Sequence, residues 1–133
     1  MSKMQIKTEI RVEVNDAGET IVLPFGDASF VKGYMALIEE LTKLIQEDAQ
    51  AAAGADTYKQ YAKITEISEK LCGKIDTLIG EGTCRKVFGD IVPVPQLFSE
   101  FFEALAEAFE EYASNRRKMI ESRYNKERRG AHV

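Results

Sequence analysis

"GEGTCRKVFGD", Gly80–Asp90, decides the fold, because it reads either as a loop that cradles a phosphate or as a joint between helices. A phosphate loop needs backbone N–H groups converging on an anion, where a strand enters a glycine-rich turn and a helix begins. Here a helical stripe precedes the stretch, and neither GxxxxGK[ST] nor a strand-led GxGxxG is present. Glu81 would repel the anion. Read as a joint, every residue has a place: Gly80 or Gly82 ends one helix, Thr83 caps a short turn through Phe88, and Gly89 ends it. Val87 and Phe88 are then expected to plug the core.

Upstream of the joint, apolar residues recur with helical period in two segments. Phe30, Tyr34, Leu37, Ile38, Leu41, Leu44 and Ile45 form one stripe, with Asp27 or Ser29 as its cap. Tyr61, Ile64, Ile67, Leu71, Ile75 and Leu78 form a second, preceded by a small-residue joint around Gly54 and capped by Asp56. Nearer the N-terminus the period is two. Ile6, Thr8, Ile10, Val12 and Val14 alternate with charged residues, "NDAG" (Asn15–Gly18) supplies a turn, and "ETIVLPF" (Glu19–Phe25) follows with β-branched residues, Pro24 ending the second strand or sitting on its edge, which predicts a β-hairpin.

Downstream, Pro95 opens a third long helix. Leu97, Phe98, Phe101, Phe102, Leu105, Phe109 and Tyr112 give it an aromatic side, and Glu100, Glu103, Glu107, Glu110 and Glu111 an acidic one. The fold class expected is α+β and mainly helical, an N-terminal β-hairpin packed on three long helices with a short helical joint. Residues 1–115 are read as one helical domain carrying the hairpin, and 116–133 as a basic helical extension or disordered tail.

Composition bounds the chemistry. With 133 residues and 44% apolar content, the chain suffices for a hydrophobic core. No run approaches the roughly 18 apolar residues of a spanning helix, and the N-terminal segment has no apolar signal-like core, so a cytoplasmic location is expected. Cys72 and Cys84 read as small core residues rather than a disulfide. The single histidine, His132, leaves no spacing for a Ser/His/Asp or Cys/His arrangement or for a zinc site. No catalytic, cofactor-binding or metal-ligating residue is assigned, no cofactor is expected, and a non-enzymatic role follows.

Charge is divided along the chain. Residues 116–133 hold seven Lys/Arg against two Asp/Glu, a net +5, which leaves −9 for residues 1–115 out of the chain's −4. Cations at the end of a long helix complement its dipole. They also supply an alternative function, a small nucleic-acid-binding regulator using Arg116–Arg129.

"LPFGDASFVKGYMALIEEL", "GEGTCRKVFGDIVPVPQLFSEFFEALAEAF" and the Arg/Lys/Glu-rich end together resemble the small tail assembly chaperones of phages and prophages of Gram-positive bacteria, from Leu23 to about Arg129. The resemblance implies a protein of the bacterial host cytoplasm that binds the tape measure protein and keeps it soluble while the tail is built. The tail tube protein is a further partner, and a homo-oligomer is compatible. Membrane association is not implied, and nucleic acid is the weaker alternative, as is a structural tail component. A client surface is expected among the surplus aromatics and first cations of the third long helix: Phe98, Phe101, Phe102, Phe109, Tyr112, Arg116 and Arg117.

Overall fold

In the computed structural model, which describes residues 6–52 and 56–130, two strands precede four helices. These are β1 (Ile10–Glu13), β2 (Thr20–Leu23), α1 (Ala28–Ala52), α2 (Thr57–Ile79), α3 (Thr83–Phe88) and α4 (Pro95–Gly130). The architecture is α+β and mainly helical, with the expected hairpin, three long helices and a short one at the joint. The joint around Gly54 lies outside the described residues. The chain falls into two compact units, Met1–Glu100 and Phe101–Val133.

β1 and β2 pair antiparallel from Ile10 opposite Leu23 to Glu13 opposite Thr20. Asn15 makes the turn: its Oδ1 accepts from the Ala17 N–H at 3.0 Å and from the Glu19 N–H at 3.2 Å, an Asx turn closing the loop. β1 is shorter than the alternation of Ile6–Val14 predicts. Past Leu23 the Phe25 N–H turns back to the Leu23 carbonyl and the Gly26 N–H takes the Thr8 carbonyl instead, so the regular ladder ends at Ile10, and Ile6 is exposed. Ile21, Leu23 and Phe25 are buried, with Phe25 edge-on to Phe30 at 5.9 Å.

Capping residues set the helix starts. Asp27 Oδ1 accepts from the Ser29 N–H at 2.9 Å to begin α1, and Asp56 Oδ1 accepts from the Lys59 N–H at 2.8 Å to begin α2. α1 and α2 run antiparallel, since Gly33 faces Leu78 while Glu40 pairs with Lys74. Leu37, Leu41, Leu71 and Ile75 are buried, and burial fades toward Ile45 and Tyr61.

α3 departs from expectation at its start. Thr83 is the first helical residue rather than the cap, and its hydroxyl donates to the Gly80 carbonyl at 2.6 Å. Gly82 holds the cap position in the left-handed region at φ 84°, where glycine is unstrained, and has no side chain to offer. The cap comes instead from Asp76 of α2, whose Oδ1 accepts from the Cys84 N–H at 3.0 Å. Gly89, also at φ 84°, closes the turn by donating to the Arg85 carbonyl. Val87 and Phe88 are half-buried rather than central, with Phe88 edge-on to Phe98 at 5.3 Å.

Two long-range bonds fix the loops around this joint. Asn15 Nδ2 donates to the Lys86 carbonyl at 3.0 Å, tying hairpin to α3. The hydroxyl of Ser68, fully buried on α2, donates to the carbonyl of buried Pro93 at 2.5 Å. Replacing Asn15→Ala removes four side-chain hydrogen bonds, one of them long-range, and is expected to cost about 2 kcal/mol in urea unfolding. Ser68→Ala leaves the buried Pro93 carbonyl unsatisfied, for an expected loss of about 1–3 kcal/mol in the same measurement. A shift below about 0.5 kcal/mol in either variant would deny these bonds their structural role.

Candidate partner-binding surfaces

Side chains with chemical potential are few. Asp76 is occupied at the cap of α3, and Cys72 and Cys84 are both free thiols. Burial is the main cause that raises both thiols above their usual value, and for Cys84 the neighbouring Cys72 and Asp76 add to it. Such thiols stay protonated and are weak nucleophiles. Among the described residues, no group of three or more His, Cys, Asp or Glu is placed to hold a metal ion. A shallow groove between α1 and α2 is lined by Pro24, Phe30, Lys70, Lys74 and Leu78. Its carboxylate, Asp27, is engaged in capping α1, and Lys74 is paired with Glu40.

The seven residues expected to bind a partner are distributed unequally. Phe98 is fully buried, and Phe101 and Phe102 are buried with their rings 5.6 Å apart. Phe109 and Tyr112 are half-buried, as is Arg116, whose guanidinium carbon lies 5.5 Å from the Tyr112 ring centroid. Arg117 is exposed.

Beyond them α4 continues past Arg117. Met119, Ile120 and Tyr124 are 56%, 64% and 61% exposed, and no side chain from 110 to 125 is buried. Exposed apolar side chains among cations are the composition of a contact surface rather than a core. Periodicity contained the signal: Met119 and Ile120 follow Phe101 and Phe102 by 18 residues, five helical turns, and so share their side of the helix. A second exposed apolar set, Ile91, Val92 and Val94, lies on the loop anchored by Pro93. Among the described residues, no helix is long and apolar enough to cross a membrane.

The raised thiols fix a pH dependence. At pH values well below the ordinary thiol value of 9.0, folded and unfolded chains both hold these protons and stability is unaffected. Above it the unfolded chain releases protons that the folded chain retains, so stability falls as pH rises. Tyr34, also raised by burial, adds to the loss above its ordinary 10.0. Urea midpoints should therefore decline from about pH 9 upward, less steeply in Cys84→Ala. A midpoint unchanged to pH 10.5, roughly, would contradict the burial of these groups.

No curated protein and no solved structure matches the chain. The chain belongs to a family of unknown function, DUF6673, whose model matches residues 17–132.

Proposed function

We propose that the protein is a non-enzymatic assembly chaperone of a phage or prophage tail, binding the tape measure protein in the bacterial cytoplasm and holding it soluble. The reading rests on the resemblance of Leu23–Arg129 to that class of proteins. The observation that carries it is the exposed apolar surface at Met119, Ile120 and Tyr124, set among the cations of α4 on an otherwise acidic chain. Reversible client binding needs apolar surface that folding leaves over and net charge that keeps the complex in solution. A regulator that bound nucleic acid through phosphate contacts would use the cations and have no need of these three apolar side chains.

Co-expression with the tape measure protein of the same genome tests the reading. The expected result is a soluble complex that co-elutes in size-exclusion chromatography, while the tape measure protein expressed alone is insoluble. Aggregation of the tape measure protein regardless of this chain would refute it.

A further inference from the structure

Phe98, Phe102 and Leu105 are the buried beginning of a longer seam on α4. Phe109, Tyr112, Arg116, Met119 and Arg123 continue it in alternating steps of three and four residues, the spacing of the facing positions of a coiled coil. Burial does not continue with the pattern. At Met119 and Arg123 the seam is exposed, and Ile120 and Tyr124 flank it, exposed as well. A helix segment of this length without tertiary cover is marginal in water, and a second helix is what a heptad seam accepts.

The two arginines define the chemistry of that second helix. Arg116 and Arg123 sit one heptad apart within the seam, with Arg117 and Lys118 beside them. A second copy aligned on this seam would set net +5 against net +5 over residues 116–133, which opposes self-pairing. An anionic bilayer suits a helix whose cations stand apart from its apolar side, whereas here they interrupt it. Duplex nucleic acid would leave Met119, Ile120 and Tyr124 in water. Carboxylates opposite the arginines, with apolar residues between them, satisfy both features.

We infer that Arg116–Tyr124 of α4 docks one acidic amphipathic helix of a partner protein, its apolar residues on Met119, Ile120 and Tyr124 and its Glu or Asp side chains, a heptad apart, facing Arg116 and Arg123. This deepens the proposed function by giving the client segment its chemistry, and it rests on that reading for the client's identity.

The test titrates a labelled synthetic peptide of four heptads, Leu at one seam position and Glu at the other, with the full chain. A Lys-for-Glu version of the peptide, phosphatidylserine vesicles and a short DNA duplex serve as comparators. The expected result is binding of the Glu peptide roughly tenfold or more tighter than the Lys peptide, with the preference reversed in Arg116→Glu/Arg123→Glu and binding weakened in Met119→Ser/Ile120→Ser. Circular dichroism of each variant establishes that the fold is retained. Equal binding of the two peptides, tighter binding of vesicles or duplex, or self-association that blocks the peptide would overturn the inference. If the tape measure protein co-eluted equally with the wild type and the charge-reversed variant, this surface would fail and the chaperone reading would stand. If the Glu peptide bound as expected while the tape measure protein was not held, the surface would stand and the chaperone reading would fall.

Discussion

The carboxylate of Asp76 at the start of α3 is the contact on which the joint depends. A helix of six residues is far too short to persist alone, and this one begins at a glycine that supplies no cap. By accepting from the Cys84 N–H, Asp76 satisfies one otherwise orphaned donor and fixes α3 against α2. The position of α3 then sets that of the hairpin, through Asn15 to the Lys86 carbonyl and Lys86 Nζ to the Thr20 carbonyl at 3.3 Å. A two-stranded hairpin is marginal by itself, so this docking and the burial of Ile21, Leu23 and Phe25 are what hold it. Phe88 leaves the same helix to meet Phe98, and Ser68 holds the intervening loop at Pro93.

Beyond the joint the same economy ends. α4 keeps its heptad spacing from Phe98 to Arg123, yet between Phe98 and Asn125 its side chains are buried only as far as Leu105. The part without cover is also where acidic residues give way to basic ones, so apolar surface and positive charge coincide. Apolar surface and charge are thereby combined in one segment.

Local signals were the legible ones. The Asn15–Gly18 turn, the caps at Asp27 and Asp56, Pro24 at the end of β2 and the helical stripes all depend on residues within a few positions of one another. The cap of α3 was not legible, because Asp76 and Cys84 are eight residues apart and meet only when α2 and α3 fold back on each other. Ser68 and Pro93 are 25 apart, and nothing in either neighbourhood announces their bond. The candidate surface was half legible for a different reason. Period reveals which residues share a face but not where along that face the cover stops, so it does not separate buried Phe98, Phe101 and Phe102 from exposed Met119, Ile120 and Tyr124.

Hydrogen exchange along α4 of the free chain, resolved by segment, measures that boundary directly. Amides that share a face with buried side chains open only with larger unfolding, whereas those of an uncovered helix fray. Slow exchange is expected from Phe98 to Ala108 and fast exchange from Arg116 to Asn125, with the fast segment becoming slow when an acidic helix is bound. Equally slow exchange over the whole of α4 in the free chain would contradict this expectation, because the seam would then already be covered and no surface would remain for a partner.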